Sequence, residues 1–103
     1  KQFKMIIYET ILQRLNESFI TEHLFLENES FKHNVPPNSE SHFKLVIVSN
    51  NFNNMPKVQR HQNIYSALSD VMNKIHALSI QAFTLDEYEK NPVILESPDC
   101  SKK

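Results

Sequence analysis

Histidine residues are the side chains of this chain best suited to chemistry, because imidazole binds metals and changes its charge near neutral pH. His33 lies in a proline-containing loop, His42 directly precedes an apolar segment, and His76 precedes a later one. Histidines in loops can reach a metal ion that another molecule shares. Two or three imidazoles do not complete an iron–sulfur site alone, but they could supply its nitrogen ligands if a partner brought thiolates. The histidines therefore allow a shared metal site, although the long sequence separation of His33 and His76 does not by itself support one.

His76 also has a simpler interpretation. In a strand that begins here, its side chain would lie on the same side as those of Leu78, Ile80 and Ala82. A lone histidine on an apolar face is usually a core residue whose nitrogens are hydrogen-bonded. At the entrance of a strand, however, it could lie at the rim and present a nitrogen outward. Both interpretations stay open.

A basic group lies at the entrance of a predicted helix. Lys57, Arg60 and His61 lie close together in the sequence near its start. Such side chains can contact a phosphate backbone or an acidic partner. His61 shares a helix face with Val58 and Tyr65, so we expect its imidazole to be half buried beside Tyr65. The alternative is a histidine that fixes the preceding turn by hydrogen bonding. The candidate nucleic-acid contacts are therefore Lys57, Arg60 and His61.

The composition disfavours nucleotide-dependent and hydrolytic catalysis. The chain has no Gly, which Walker loops, dinucleotide fingerprints and the G-x-S-x-G nucleophile elbow all need. The single Cys100 excludes an internal disulfide or a Cys-rich metal site supplied by this chain alone, and its polar surroundings favour an exposed thiol without an assigned role. Asp86, Glu87 and Glu89 fit a helix N-terminus and a solvated face. We therefore do not expect an enzyme.

The overall composition is that of an ordinary soluble domain. With 103 residues, of which 40% are hydrophobic and 22% charged, the chain is large enough for one core. A net charge of −1 and an isoelectric point near 6.6 argue against strong non-specific nucleic-acid binding, which needs a basic excess. No apolar run is long enough to span a bilayer and no export signal is present, so we expect a cytoplasmic location.

Hydrophobic periodicity predicts the element order α-β-β-α-β-α. The expected elements are a helix with Met5, Tyr8, Leu12, Leu15 and Phe19 on one face, strands at 23–27 and 43–49, a helix at about 58–74, a strand at 77–84 and a helix at 85–90. The second strand is nearly all apolar, which predicts a central position in a sheet. Segment 28–41, which contains Pro36 and Pro37, is expected to be a surface loop that either binds a partner or only connects strands.

Turns in a chain without glycine need another residue that accepts the left-handed backbone region. Asn does so better than other non-glycine residues. Asn38, Asn53 and Asn54 are therefore the expected substitutes.

Several of these segments together resemble one protein family. They are residues 31–44, 48–52, 58–61, 64–65, 75–78 and 97–100. Residues 31–44 resemble the loop and central-strand entrance of BolA-like proteins, and 48–52 together with 58–61 and 64–65 resemble their turn and helix. Residues 75–78 are similar to the start of the last strand and 97–100 to the tail of bacterial members, so the resemblance covers most of the chain. Two positions depart from it, since Asn54 stands where the family usually has Gly, and Gln62 where it usually has a second Arg. Gln62 removes one potential phosphate contact.

The resemblance implies a single small α+β domain of the class II KH-like type, with the order αββααβ and a helix-turn-helix-like segment. This domain would span residues 1–95, followed by a flexible tail at 96–103. Two functions are implied. One is a DNA-binding transcriptional regulator of stress response, cell morphology and division. The other is an adaptor in iron–sulfur cluster assembly, trafficking or iron sensing, which shares a glutathione-ligated 2Fe–2S cluster with a monothiol glutaredoxin.

The resemblance also assigns the candidate residues. His33 becomes the variable-loop ligand and His76 the C-terminal ligand of the shared cluster, with His42 as an alternative to His33. Arg60 and His61 belong to the helix signature that faces nucleic acid. The implied partners are a monothiol glutaredoxin and promoter DNA, without a cofactor bound by the chain alone, without a membrane, and with a monomer or weak homodimer in isolation. A protein-binding adaptor that needs neither metal nor DNA is the third alternative.

Overall fold

The computed structural model describes residues 6–30 and 39–90, in which helices and strands follow the order αββααβα. They are α1 (Ile6–Ser18), β1 (His23–Asn28), β2 (His42–Val48), α2 (Lys57–Ala67), α3 (Ser69–Met72), β3 (Ala77–Phe83) and α4 (Leu85–Lys90), with a short 3-10 helix at Asn50–Phe52. This is a small α+β fold, as predicted. None of the helices in the described ranges is long and apolar enough to cross a bilayer. The expected tail at 96–103 lies outside the described residues, so the domain bounds stay a prediction.

The three strands form one sheet in the order β1-β2-β3. β1 runs antiparallel to β2, with Asn28 opposite Phe43, and β3 runs parallel to β2, with Leu78 opposite Phe43. Parallel neighbours need a crossover connection, which α2 and α3 provide. Residues 43–48 are all buried in the middle of the sheet, which confirms the predicted central strand.

One face of the sheet forms the hydrophobic core together with the helices. Phe43, Leu45 and Ile47 belong to this core, and their spacing of two residues follows the pleat of β2. The helical members of the same cluster include Ile11 and Leu15 of α1, Ile64 of α2, Leu68 and Val71 of α3. Full burial of such a side chain contributes about 1.5–3 kcal/mol, so this cluster is the main source of stability.

The N-terminus of α1 is held by the segment that leads into β2. The two carboxylate oxygens of Glu40 accept hydrogen bonds from the main-chain N–H groups of Ile7 (3.2 Å) and Tyr8 (3.0 Å). N–H groups in the first turn of a helix have no partner within it, and a carboxylate also suits the positive end of the helix dipole. Glu40 therefore links α1 to the start of β2, two residues before His42.

The long helix predicted at about 58–74 is wrong, because the chain forms two helices there. Leu68 leaves the helical region with φ −105° and ψ 18°, and α3 begins at the next residue. Ile64, Leu68 and Val71 are all buried in the core nonetheless. Apolar spacings of four and three residues occur both in a continuous helix and in two helices joined at one residue. The periodicity therefore did not reveal the break.

The turn before α2 contains the positive-φ residue of the described ranges. Asn54 has φ 62°, as predicted for a chain without glycine. Asn53 lies in the same turn but has φ −57° and ψ 134°, so it does not use the left-handed region. Asn38 lies outside the described residues.

We expect Asn54→Ala to lower the free energy of unfolding by about 1 kcal/mol, because Ala is strained at positive φ. Asn54→Gly should stay within about 0.5 kcal/mol of the wild type, since Gly adopts this region freely. Urea denaturation followed by circular dichroism measures both changes. Asn53→Ala, at the neighbouring negative φ, is the matched control and should change little. Equal losses for Asn53→Ala and Asn54→Ala would contradict a specific role of the Asn54 backbone conformation.

Candidate functional site

The start of α2 is an exposed helix N-terminus without a side-chain cap. Pro56 occupies the N-cap position and makes no side-chain cap hydrogen bond. The first helical hydrogen bond runs from the N–H of Arg60 to the carbonyl oxygen of Pro56 (3.0 Å), so the N–H groups of residues 57–59 precede the helical ladder. Lys57 is exposed, with its Nζ 5.6 Å from the centroid of the Phe83 ring. Main-chain N–H groups and an ammonium at one helix end are suited to binding an anion.

The outer face of α2 continues this surface. His61 is half buried, as expected. Val58 and Tyr65, which share its face, are 69% and 42% exposed, so this face is open to solvent. An imidazole between two exposed apolar side chains can contact a partner without rearrangement of the core.

Arg60 is not exposed beside Lys57 and His61, and the expectation that it faces nucleic acid is corrected. The residue is 5% exposed. Its Nε donates to the carbonyl oxygen of Met55 (2.7 Å) and its Nη1 to that of Ala82 (3.0 Å). Its Nη1 and Nη2 also bind the two carboxylate oxygens of Glu87 at 2.7 and 3.0 Å. A guanidinium with these partners joins the turn before α2, the end of β3 and α4, and has little capacity left for a phosphate.

Glu87 is likewise not part of a purely solvated acidic face. Besides its bidentate pair with Arg60, it forms a reciprocal cap with Thr84. The N–H of Glu87 donates to Oγ1 of Thr84 (3.1 Å), and the N–H of Thr84 donates to Oε1 of Glu87 (3.0 Å). Thr84 is the N-cap that the sequence predicts for the helix at 85–90, and the spacing Thr84-x-x-Glu87 is the signature of a capping box. The pairing with Arg60 had no such signal, because 27 residues separate the partners.

The hydrogen bonds from Arg60, followed by the main-chain N–H of Thr84, lower the pKa of Glu87 from its ordinary 4.5 to about 2. Both donors stabilise the charged carboxylate. Glu87 therefore remains ionised, and the pair with Arg60 stays intact, throughout the physiological pH range.

Two of the candidate metal ligands lie next to each other at the entrance of the sheet. The rings of His42 and His76 have centroids 4.9 Å apart and planes inclined by 43°. Ser41 holds this arrangement, because its Oγ lies 2.8 Å from Nδ1 of His42 and its carbonyl oxygen accepts the N–H of His76 (2.7 Å). His76 is exposed, in agreement with the rim position rather than the core position. His33 lies outside the described residues.

The proximity of His42 and His76 follows from the parallel register rather than from their sequence separation. His42, the first residue of β2, pairs with Ala77, the first residue of β3, so His42 and His76, which directly precedes Ala77, lie at the same end of the sheet. Within residues 6–30 and 39–90, no three His, Cys, Asp or Glu side chains converge as a metal site would need. The described pair would thus supply nitrogen ligands to a group that is completed by other donors.

A depression of about 500 Å³ is lined by the end of α1, the short 3-10 helix and α2. Its lining residues are Ser18, Phe19, Asn51, Asn63, Ser66 and Ala67. This lining has no acid, base or thiol in position for nucleophilic or general acid–base chemistry.

Comparison with known proteins gives a consistent family. The model of the BolA family, described as "BolA-like protein", matches residues 15–87. The chain is 43% identical over 99 residues to the "DNA-binding transcriptional regulator BolA" of Haemophilus influenzae, which covers 94% of this chain and 96% of that protein. The protein of the same name from Escherichia coli is 39% identical over 98 residues, with 93% of each chain covered.

Solved structures share the fold. The solution structure of BolA1 from Mus musculus has a TM-score of 0.81 at 37% identity and covers 97% of this chain and 82% of that chain. The BolA domain of SufE1 from Arabidopsis thaliana has a TM-score of 0.73 at 33% identity, and the match covers 84% of this chain and 99% of that domain.

The low pKa of Glu87 predicts an acid-dependent loss of stability. A carboxyl group whose pKa is lower in the folded than in the unfolded chain stabilises the fold above its unfolded pKa, and this contribution is lost as the pH falls towards its folded pKa. For Glu87 the window runs from about 4.5 down to about 2. Because the carboxyl group is partly exposed, we expect about 1 kcal/mol.

The measurement is urea denaturation between pH 7 and pH 2 for the wild type and Glu87→Gln. The variant should be less stable at pH 7, and its deficit should shrink as the pH falls through this window. Glu89→Gln, at an exposed position of the same helix, should follow the wild type. A deficit of Glu87→Gln that stays constant down to pH 2 would refute the ionic contribution.

Proposed function

The chain belongs to the BolA-like protein family, and on that basis we propose that it is a DNA-binding transcriptional regulator of stress response, cell morphology and division, located in the cytoplasm. The observation that carries this proposal is the exposed start of α2. There, an uncapped helix N-terminus, Lys57 and the partly exposed His61 lie together. Two bacterial relatives that cover nearly the whole chain are named DNA-binding transcriptional regulators.

In this proposal some residues of α2 contact the DNA, and Arg60 supports the surface that they form. The main-chain N–H groups at the N-terminus and the ammonium of Lys57 contact a phosphate, because both favour a negative group at this helix end. His61 and the exposed face beyond it contact the sugar or a base edge. Arg60 supports the surface from inside, since its bonds to Met55 and Glu87 fix the turn and α4 around it.

The near-neutral charge of the chain limits the number of phosphate contacts that we expect. The net charge is −1, and five cationic residues (Lys1, Lys4, Lys32, Lys102 and Lys103) lie outside the described ranges. Gln62, where the family usually has Arg, is exposed on α2. Binding that depends on few phosphate contacts has a shallow dependence on salt.

For a DNA duplex of promoter length, we expect Lys57→Ala to weaken binding and to reduce the slope of log affinity against log salt concentration by about one. Gln62→Arg should do the reverse, because it adds a cation to the same exposed face. Fluorescence anisotropy over a series of salt concentrations measures both. His61→Ala should weaken binding with little change in the slope, because its imidazole is assigned to the sugar or a base edge rather than to a phosphate.

Lys74→Ala is the matched control, because Lys74 lines a depression with Ile6 and Asp70 that includes none of the residues assigned to DNA. Its slope should equal that of the wild type. If Lys57→Ala and Gln62→Arg both leave the slope unchanged, α2 does not contact the DNA backbone and the proposal fails.

A second candidate function is favoured by the His42–His76 arrangement. We propose that the chain also acts as an adaptor that shares a 2Fe–2S cluster with a monothiol glutaredoxin and glutathione, with His76 and His33 as its ligands. The exposed imidazole of His76 at the rim of the sheet suits a ligand that completes a site on another molecule. His42, within contact distance of His76, is the alternative to His33. The chain alone would be a monomer or weak homodimer without a bound cofactor.

The chemistry of the donors supports this second proposal. Imidazole in place of thiolate on one iron raises the reduction potential of a 2Fe–2S cluster. A hydrogen bond to the other ring nitrogen orients a histidine ligand, and Ser41 Oγ lies 2.8 Å from Nδ1 of His42. The glutaredoxin and glutathione would bring the thiolates, because the single Cys100 of this chain cannot supply them.

We expect the visible absorption spectrum of the cluster, assembled with a monothiol glutaredoxin, iron, sulfide and glutathione, to change in His33→Ala and in His76→Ala. A change in His42→Ala without a change in His33→Ala would assign the second ligand to His42. His23→Ala is the control, because His23 contacts Tyr88 at the other end of the strands. Its spectrum should match that of the wild type.

Spectra that are unchanged in both His33→Ala and His76→Ala would rule out these ligands. If the complex with glutaredoxin also persists without metal and glutathione, the chain acts on this partner as a metal-independent adaptor.

A further inference from the structure

β3 is an edge strand of the sheet, and one row of its main-chain groups points away from β2. The N–H of Ala77 donates to the carbonyl oxygen of Ser41 (3.1 Å), and the carbonyl oxygen of Phe83 accepts the N–H of Ser49 (2.9 Å). The main-chain groups of a strand alternate between its two neighbours. Those of Leu78, Ile80 and Ala82 therefore point to the outer side of β3.

This outer row is only partly occupied. The carbonyl oxygen of Ala82 accepts a hydrogen bond from Nη1 of Arg60 (3.0 Å). Within the described residues, the N–H and C=O groups of Leu78 and Ile80 have no partner on this side, since the sheet ends at β3. Four main-chain groups are thus available to a further strand, and Arg60 marks the end of the available row.

β3 lacks the features that protect edge strands from pairing. Its sequence, ALSIQAF, contains no charged residue and no Pro. Its register with β2 is continuous over all seven residues, so no bulge bends the edge away. Natural edge strands usually carry a charge, a Pro or a bulge where pairing is to be avoided.

The side chains along this edge specify an alternating partner. Leu78 and Ile80 are only partly buried and pack against the core, as do Met72 and Ile75. On the opposite face, Ser79 is exposed and Gln81 is half buried. A strand added here would place apolar side chains beside Leu78 and Ile80, and polar side chains beside Ser79 and Gln81, because alternate residues lie on opposite faces.

The charge at the open half of the edge favours acidic flanks. Segment 73–83 contains Lys74 and His76 but no Asp or Glu. The acids near β3 are Asp86, Glu87 and Glu89 of α4, which follows Phe83 and lies past the Ala82 carbonyl that Arg60 binds. An acidic residue of a partner beside Lys74 would therefore meet complementary charge, which guides the choice of partner.

We propose that the β3 edge accepts an extended segment of a partner protein as a fourth strand, in which apolar and polar residues alternate between acidic flanks. Addition of a strand to an exposed edge derives affinity from main-chain hydrogen bonds and specificity from alternate side chains. A second copy of this chain is the competing occupant. Antiparallel pairing of two β3 strands centred on Ser79 would place Leu78 opposite Ile80 and use the same four main-chain groups, whereas pairing centred on Ile80 would meet the Ala82 carbonyl that Arg60 already binds. β3 itself carries no acidic residue, so the charge dependence of binding separates the two occupants. This surface is separate from the DNA contacts at the start of α2, so failure of DNA binding would leave it unaffected.

The test follows the amide groups of β3 by nuclear magnetic resonance. The probe is a short synthetic peptide in which Val and Thr alternate between Asp-containing ends. In the free protein, the amides of Leu78 and Ile80 should exchange rapidly with solvent. At saturating peptide we expect their exchange to slow by roughly tenfold or more, together with shifts confined to β3 and its neighbours. The same peptide with Lys in place of Asp should bind more weakly.

Variants at Ile80 and Lys74 test separately how main-chain hydrogen bonds and charge contribute to peptide binding. Ile80→Pro removes an outward N–H without removing a bond to β2, which edge strands tolerate, and it should abolish binding. Ile80→Val keeps the N–H and should bind like the wild type. Lys74→Glu leaves the strand intact and should weaken binding of the acidic peptide, which keeps the test valid if Ile80→Pro does not fold.

Three outcomes would overturn the proposal. One is protection of the Leu78 and Ile80 amides in the dilute free protein, which would mean that the chain itself covers the edge. Another is protection that grows with protein concentration and accompanies dimer formation in sedimentation experiments, which would identify a second copy as the occupant. The last is an acidic peptide that leaves these amides unchanged.

Discussion

The buried guanidinium of Arg60 is the interaction on which the rest of this structure depends. A cation with so little exposed surface is tolerated only where its donors are paired, and each of its partners belongs to a different element. Met55 lies in the turn before α2, Ala82 near the end of β3 and Glu87 in α4. One side chain therefore sets the position of the α2 entrance relative to the sheet. It also determines where the outer edge of β3 ceases to be available.

Sequence patterns predicted the elements of the fold better than the way they are joined. The apolar segment 43–48 and the stripe on α1 were clear because burial imposes a period on the chain. The break at Leu68 left that period intact and was therefore invisible. Asn54 could be placed in a left-handed turn because the absence of glycine reduces the choice of residues. The two consecutive helices came from the family resemblance rather than from periodicity.

The candidate site was predictable only where local rules apply. The half-buried position of His61 followed from helix geometry. The burial of Arg60 did not, because its carboxylate partner is 27 residues away and no local pattern joins the two. Likewise, the contact between His42 and His76 depends on the parallel register of β2 and β3. Register is a property of the whole sheet and cannot be read from either segment alone.

Glu40 gives the sheet entrance a mechanical connection to the first helix. Its carboxylate holds the N–H groups of Ile7 and Tyr8, and only Ser41 separates it from His42 in the chain. A displacement of the imidazole pair would thus shift Glu40 and alter its hydrogen bonds to the first turn of α1. This is the part of a helix that frays most easily. The amide resonances of Ile7 and Tyr8, which Glu40 binds, would therefore report on events at His42 and His76.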